Sequence, residues 1–327
     1  YWNYFEQKSK LIPVLNCLTL GRLTRLLKEV LVMKQWNISD FPDLHGKRVV
    51  VTGGNAGLGF QSVLELARKN AEVIIACRRE KSGEQAIQRV HEIIPAAKLS
   101  CITLDLTDFQ SIMKFCEIFI SRYDALHILL NNAGVVNLKT LQYTSTGHEM
   151  HMATNHYGHF ALTTYLFPVL LKTPNARVVT MTSGGYRFGN IRFDDMDWKK
   201  RSYKPIAAYS DSKLANLLFT YALQTRFEEM HCDALSLAAH PGLTATERQQ
   251  SVGAGGKLTK FLASSVMVGV APQLRACTDL EANKRDFYGP RFGIYGSPIK
   301  IKAKEKAKNS LLAEELWDFT ENIIRKF

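Results

Sequence analysis

A candidate acid–base pair stands at Tyr209 and Lys213, four residues apart. On a helix this spacing places both side chains on one face. A tyrosine phenol, whose ordinary pKa is about 10, is a poor acid at neutral pH. A lysine cation beside it favours the phenolate and moves that pKa towards the working range. This spacing is common in helices, so the pair indicates catalysis only together with the other segments described below. The alternative is that Tyr209 is a half-buried helix residue without a catalytic role.

A glycine-rich turn occupies residues 53–59, well before that pair. It follows a β-branched run at residues 47–52 and precedes residues 60–69, where apolar residues recur at helical spacing. Strand, glycine turn and helix are the context of a dinucleotide site, since glycines admit the pyrophosphate and the helix N-terminus offers free N–H groups. The alternative is a turn whose glycines serve packing alone. The candidate cofactor contacts are Gly53, Asn55, Gly57, Leu58 and Gly59.

The end of the second predicted strand, residues 71–76, bears on the choice of cofactor. An acidic residue that would bind the ribose 2′-hydroxyl of NAD is absent there. Cys77 stands in its place and Arg78 follows. Because a guanidinium pairs well with a phosphate, the sequence predicts NADP(H) rather than NAD(H). A solvated basic loop is the alternative interpretation.

Two further strand ends carry candidate cofactor contacts. Residues 99–104 lead into Asp105 and Leu106, where a short acid can cap the next helix or meet the adenine edge. Residues 128–130 lead into Asn131 and then Asn132, Ala133 and Gly134, whose small side chains suit a backbone that lies against a cofactor. Capping and turn formation explain each segment equally well when it is taken singly.

Six segments, in this order along residues 46–300, resemble the short-chain dehydrogenase/reductase family. They are residues 52–59, residues 131–134, Asn155, Thr182 with Ser183, Tyr209 with Lys213, and Pro241-Gly242 followed by Thr246. The sequences Ala-Cys-Arg, Asn-His-x-Gly-His-Phe and Ser-Lys-Leu-Ala-Asn are most similar to the retinol dehydrogenase and protochlorophyllide reductase branch.

The resemblance implies a catalytic role for four residues. Ser183 would orient and polarise a carbonyl, and Tyr209 would donate a proton to its oxygen while nicotinamide supplies a hydride. Lys213 would favour the phenolate and bind the nicotinamide ribose, and Asn155 would hold a water that relays protons. Preplaced donors that stabilise the developing alkoxide are usually the largest catalytic term. Pro241, Gly242 and Thr246 would close over the nicotinamide, and no metal is required.

The substrate class is predicted from the same branch and from the segment after Pro241. Glycines within residues 249–256 allow movement, and the apolar residues 258–270 could line a hydrophobic pocket. We expect a lipophilic aldehyde or ketone of the retinoid, steroid or fatty aldehyde class. The sequence does not specify the direction of the reaction, although NADP(H) favours reduction in a cell.

Residues 1–45 form a basic extension whose leucines recur at helical spacing. This pattern predicts an amphipathic helix in peripheral contact with an intracellular membrane or lipid droplet, on the cytoplasmic side. It is too charged to span a bilayer. A helix packed on the core, a homodimer contact and a cytosolic protein are the alternatives.

Residues 46–327 are predicted to form one α/β domain, a Rossmann-type doubly wound parallel sheet. Arg177–Met181 and residues 233–238 are further predicted strands, residues 294–296 a last short strand, and residues 311–327 a closing helix. None of the six cysteines forms a Cys-x-x-Cys motif, which favours free thiols in a reducing compartment.

The sequence also raises four alternatives to an oxidoreductase. The histidines at 148, 151, 156 and 159 suggest a metal site, but packing and hydrogen bonding explain them better. No nucleic-acid motif accompanies the formal net charge of +12, so nucleic acid is not an expected partner. A membrane-associated interaction protein that binds cofactor with little catalysis remains the main alternative, and a dinucleotide-fold methyltransferase is the second.

Overall fold

The computed structural model describes Trp36 and residues 40–136, 138–242 and 258–326, with side chains in the helix after residue 258 described from Val266 onward. The chain divides into two compact units, Tyr1–Trp36 and Asn37–Phe327. Most of the predicted basic extension therefore lies outside the described residues, as does the segment 243–257 with Thr246.

One eight-stranded sheet organises the second unit. The strands follow the order β3-β2-β1-β4-β5-β6-β7-β8; the first seven are parallel and β8 is antiparallel to β7. The order reverses between β1 and β4, where doubly wound sheets bind ligands at the carboxyl ends of their strands. The strands are β1 Arg48–Thr52, β2 Glu72–Cys77, β3 Leu99–Thr103, β4 Ile128–Asn131, β5 Arg177–Met181, β6 Leu235–Ala239, β7 Phe287–Pro290 and β8 Pro298–Lys300.

Helices connect the strands, which gives the predicted doubly wound architecture. The described helices are α1 Gly57–Arg68, α2 Glu80–His91, α3 Phe109–Arg122, α4 Met150–Met152, α5 Gly158–Tyr165, α6 Phe167–Lys172, α7 Pro205–Glu229, α8 Leu258–Thr278 and α9 Ser310–Ile324. A π-helical turn, Ala153–Tyr157, joins α4 to α5, and Gly184–Phe188 is a short 3₁₀ helix. No helix among the described residues has the length and apolar character needed to cross a bilayer.

The central strands are buried on both faces, as parallel strands covered by helices must be. All four residues of β4 are buried, and so are the last four residues of β1. The closing helix α9 adds an aromatic contact, because Trp317 lies 4.6 Å from Phe160 and stacks on Phe219 at 5.9 Å between ring centroids. The core thus holds α5 and α7 in a fixed position behind the sheet.

The predicted strand at residues 294–296 is wrong. These residues lie in the turn between β7 and β8, where Gly293 and Gly296 adopt φ values of 79° and 106° and reverse the chain. The turn is closed by a hydrogen bond from Arg291 N to Ser297 O of 3.0 Å. The true strand β7 escaped prediction because it is short and ends in glycine and proline, which are both depleted in strands.

Candidate active site

A cleft of about 460 Å³ opens at the reversal of strand order, at the carboxyl ends of β1, β2 and β4. Every predicted cofactor residue lines it except Gly242, which lies beside the β7–β8 turn, and Thr246, which lies outside the described residues. The predicted residues that line the cleft are Gly53, Asn55, Gly57, Leu58, Gly59, Arg78, Asp105, Leu106, Asn132, Ala133, Gly134, Tyr209, Lys213 and Pro241.

The glycine turn leaves no room for side chains at key positions. Gly53 and Gly57 have φ values of 65° and 54°, a region that favours glycine. A Cβ on Gly59 would lie 2.2 Å from the carbonyl oxygen of Gly53 and 2.6 Å from Nδ2 of Asn132. The turn therefore presents bare backbone at the N-terminus of α1, an arrangement that suits a phosphate.

Thr52, which the sequence analysis did not identify as a separate site residue, ties this turn to the end of β4. Its Oγ1 accepts hydrogen bonds of 2.9 Å from the backbone N–H groups of Asn132 and Ala133. Its backbone oxygen accepts a third, of 2.8 Å, from Nδ2 of Asn132. One buried threonine thus holds together two of the loops that line the cleft. In the sequence, only its position directly before the glycines could have indicated this role.

His159 extends this network to Asn155 and has a defined tautomer. Its Nδ1 lies 3.0 Å from the carbonyl oxygen of Asn155, which can only accept, so Nδ1 carries the proton. Burial lowers the pKa of His159 to about 4, so Nε2 bears a lone pair at neutral pH. Nε2 is therefore an acceptor for the Thr52 hydroxyl 2.9 Å away, and the carbonyl oxygen of Leu130, at 3.3 Å, is the second acceptor for the same proton.

Asn155 lies in the π-helical turn and is fully buried, and it does not line the cleft. Its side chain exchanges hydrogen bonds of 2.8 and 3.1 Å with the backbone of Val135 and donates to Oγ of Ser212 at 3.0 Å. A Cβ on Gly134 would lie 2.9 Å from Asn155 Oδ1 and 3.6 Å from Lys213 Nζ. The amide thus joins the loop after β4 to the helix that carries Lys213.

Helix α7 carries Tyr209 and Lys213, as predicted. Lys213 is buried, lies 5.6 Å from the centre of the Tyr209 ring and donates to the carbonyl oxygen of Met181 at 3.2 Å. Ser183, at the end of β5, does not line the cleft. A Cβ on Gly185 would nevertheless lie 3.6 Å from Ser183 Oγ and 3.8 Å from Cε1 of Tyr209, so the Ser183 hydroxyl and the Tyr209 ring both approach Gly185.

A buried cluster beside Tyr209 was missed by the sequence analysis. The His151 ring lies 6.0 Å from the Tyr209 ring in an edge-on contact. Its Nδ1 is 2.8 Å from Oε1 of Glu149, which also accepts a hydrogen bond of 3.2 Å from the Tyr203 hydroxyl. Since Tyr203 is distant in sequence from Glu149, only the folded chain reveals this support for the Tyr209 ring.

The predicted alternative role of Asp105 as a helix cap is wrong. Asp108 caps α3 by accepting from Gln110 N at 3.0 Å. Asp105 instead accepts from the backbone and hydroxyl of Thr107 at 2.9 and 2.7 Å, which forms a tight turn beside the cleft. Asp105 lines the cleft, and its contact with the adenine edge stays a prediction.

The clustered histidines have separate partners. His148 contacts Asp197, His151 contacts Glu149, His156 contacts Thr320 and His159 contacts Thr52. In the part of the chain that the structure describes, no group of three or more histidine, cysteine or acidic side chains could hold a metal ion.

The buried histidines predict a loss of stability in acid. Burial lowers the pKa of His156 to about 3 and that of His159 to about 4, against an ordinary value of 6.5. The unfolded chain takes up these protons and the folded chain does not, so stability present above pH 6.5 is lost as the pH falls towards 4. We expect each histidine to cost about 2 kcal/mol of unfolding free energy by about pH 5.

Urea unfolding at about pH 7.5 and about pH 5 measures this loss. His156→Leu should lose about 2 kcal/mol less than the wild type between the two pH values, because its titrating group is gone. His45→Gln, at an exposed position, is the matched control and should behave like the wild type. Equal losses in His156→Leu and the wild type would contradict the prediction.

Comparisons with known proteins find a matching family model and similar proteins. The family model described as short chain dehydrogenase matches residues 47–256. Retinol dehydrogenase 12 of Mus musculus is 36% identical over 279 residues, which cover 84% of each chain, and an uncharacterized oxidoreductase of Schizosaccharomyces pombe is 32% identical over 95% of each chain. The crystal structure of an uncharacterized protein from Mycobacterium paratuberculosis matches with a TM-score of 0.76 and 34% identity, covering 89% of this chain and 98% of that chain.

Proposed function

The chain belongs to the short chain dehydrogenase family, in its retinol dehydrogenase branch, and on this basis we propose that it interconverts a lipophilic carbonyl compound and its alcohol with NADP(H). One observation carries the proposal: a single cleft is lined by the bare glycine turn, by Arg78 and by the Tyr209–Lys213 pair. These are the parts needed to bind a dinucleotide phosphate and to move a proton beside it.

The cleft would take a nicotinamide dinucleotide, because the glycine turn presents backbone without side chains to it and is packed so tightly at Gly59 that not even a Cβ has room. Gly53, Gly57 and Gly59 would hold the pyrophosphate against the N-terminus of α1. Leu106, Asn132 and Ala133 would lie along the rest of the cofactor, and Asp105 would meet the adenine edge. When bound, the nicotinamide supplies the hydride for the reaction.

The catalytic residues then have separate tasks. Ser183 and Tyr209, which both approach Gly185, would donate hydrogen bonds to the substrate oxygen. Tyr209 would transfer its proton to that oxygen in reduction and recover one in oxidation. Lys213, buried near the phenol ring, would favour the phenolate and bind the ribose.

Asn155 would position the catalytic residues without lining the cleft itself. Its side-chain partners are Val135 and Ser212, and the Ser212 hydroxyl donates to the carbonyl oxygen of Tyr209 at 2.7 Å. We therefore assign Asn155 a positioning role for α7, in addition to the relay of protons through water that the family resemblance implies. Both roles require the π-helical turn that brings Asn155 beneath Gly134.

Arg78 is the basis for proposing NADP(H) rather than NAD(H). Its side chain is exposed at the edge of the cleft, next to Cys77, and could pair with a 2′-phosphate. We expect Arg78→Ala to weaken NADPH binding by about tenfold or more while NADH binding changes little. Titration of cofactor fluorescence measures both dissociation constants. Arg79→Ala, a neighbouring arginine outside the cleft lining, is the control, and an equal effect of both variants would contradict the assignment.

A lipophilic substrate is supported by apolar side chains on the two elements that carry Ser183 and Tyr209. Phe188 ends the 3₁₀ helix after Ser183, and Ile206 lies in the first turn of α7; each is 79% exposed. Neither residue lines the cleft, but exposed apolar groups on these two elements are compatible with the approach of a retinoid, steroid or fatty aldehyde. NADPH oxidation with carbonyls graded in size and polarity tests this, and preferred turnover of small polar carbonyls would refute it.

Residues 1–45 are proposed to make a peripheral contact with an intracellular membrane or lipid droplet through their basic, leucine-rich pattern. Flotation of the full chain with anionic vesicles, compared with a chain that lacks residues 1–35, tests this proposal. Loss of flotation in the shortened chain would support it, whereas a change from dimer to monomer without any flotation would favour a homodimer contact.

A further inference from the structure

Two free cysteines lie together beside the end of the cleft that Arg78 lines. The sulfur atoms of Cys77 and Cys101 are 3.9 Å apart, on neighbouring parallel strands. Cys77 ends β2 and pairs with Thr103, whereas Cys101 pairs with Ile75, so both side chains point to the same face of the sheet. Both lie under helix α2 at Gly83.

The two sulfur atoms occupy the space that a side chain at Gly83 of α2 would need. A Cβ on Gly83 would lie 2.1 Å from Cys101 Sγ and 3.2 Å from Cys77 Sγ. Cys77 is buried but lines the cleft next to Arg78, so the cleft is the side from which an oxidant would approach it. β3 is an edge strand and can shift more easily than a central one.

We propose that Cys77 and Cys101 form a redox-sensitive site, which a hydroperoxide converts reversibly to a disulfide that weakens cofactor binding. The inference about affinity rests on the proposed NADP(H) function, whereas the disulfide itself does not. In a reducing compartment a disulfide that does form is usually transient and redox-sensing and not structural.

Position and hydrogen bonding together assign the roles of the two thiols, because Cys77 lines the cleft and Cys101 does not. Donation from Cys101 lowers the pKa of Cys77 to about 7 despite burial, and the same bond together with burial raises the pKa of Cys101. Cys77 is therefore the thiolate that attacks, and Cys101 is the resolving thiol.

The chemistry balances with hydrogen peroxide as the oxidant. The Cys77 sulfur attacks one peroxide oxygen, the O–O bond breaks, and the departing oxygen leaves as water after taking a proton. The Cys101 sulfur then attacks the Cys77 sulfenic acid, the S–O bond breaks, and a second water leaves. Two thiols and one peroxide thus yield one disulfide and two waters, with two electrons passing from sulfur to oxygen.

A disulfide requires the sulfurs to approach from 3.9 Å to about 2 Å. This contraction draws the end of β2 towards β3, and the end of β2 leads directly into Arg78. The lining of the cleft near the proposed 2′-phosphate site therefore changes, and a bound cofactor, by covering Cys77, should slow the oxidation.

The test treats the full chain with hydrogen peroxide, with and without NADPH, and then maps disulfides by mass spectrometry and titrates NADPH by fluorescence. We expect a Cys77–Cys101 disulfide that NADPH retards, and NADPH binding about fivefold weaker or more, restored by dithiothreitol. Cys101→Ser should form no disulfide, and Cys116→Ser, which removes a buried thiol elsewhere, should behave like the wild type.

Two results would overturn the proposal. One is peroxide oxidation that leaves Cys77 and Cys101 unlinked in the folded protein; the other is a disulfide that leaves NADPH affinity unchanged. If reduced wild type fails to bind NADPH, the proposed function fails instead, and the mass spectra still decide whether the two thiols form a redox pair. Cys101→Ala repeats the test if the serine variant does not fold.

Discussion

Tyr209→Phe is expected to lower kcat by about a thousandfold or more, because it removes the hydroxyl that would exchange a proton with the substrate oxygen. The ring remains, so its edge-on contact with His151 and its place near Lys213 should persist. The dissociation constant of NADPH should therefore change by less than about threefold. Steady-state turnover of an apolar aldehyde and fluorescence titration of NADPH measure the two quantities.

Tyr221→Phe is the matched control for this substitution. Tyr221 lies in the same helix, is half buried and lies outside the cleft lining, so loss of its hydroxyl should leave turnover near that of the wild type. If Tyr209→Phe kept more than about a tenth of wild-type kcat, the proton-transfer role would be refuted. NADPH binding without turnover in the wild type would instead favour the interaction protein that the sequence left as an alternative.

Local signals in the sequence were sufficient for the fold and for most of the cleft. The glycine turn and the Tyr209–Lys213 spacing are short-range patterns, and each lies on the element that it predicted. Family membership also argues against the methyltransferase alternative. The catalytic roles of Asn155, Ser183, Tyr209 and Lys213 stay predictions, and Tyr209→Phe tests the central one.

The structural features that could not be predicted from the sequence depend on contacts between distant residues, or on which of two neighbouring residues takes a given role. Thr52 and His159 are 107 positions apart and meet only because β1 and α5 share the core. Asp105 and Asp108 both precede α3, and sequence alone does not say which one caps it. The turn at residues 294–296 follows from glycines that outweigh the strand propensity of the isoleucine and tyrosine beside them.

Gly59→Ala is the second substitution with a large expected effect, and it tests the cofactor cleft separately from catalysis. The added Cβ would lie 2.2 Å from the carbonyl oxygen of Gly53, a backbone atom that cannot rotate away. The turn must open, which displaces the N–H groups proposed to bind the pyrophosphate. We expect NADPH binding to weaken by about a hundredfold or more.

Gly184→Ala separates this steric cause from the general cost of replacing a glycine. A Cβ on Gly184 meets no atom within 4 Å, so NADPH binding should remain close to that of the wild type. Thermal unfolding of both variants shows whether Gly59→Ala remains folded; the affinity comparison is made at a temperature where it does. Wild-type affinity in folded Gly59→Ala would mean that the cofactor binds elsewhere, because the turn cannot accept this methyl group and keep its shape.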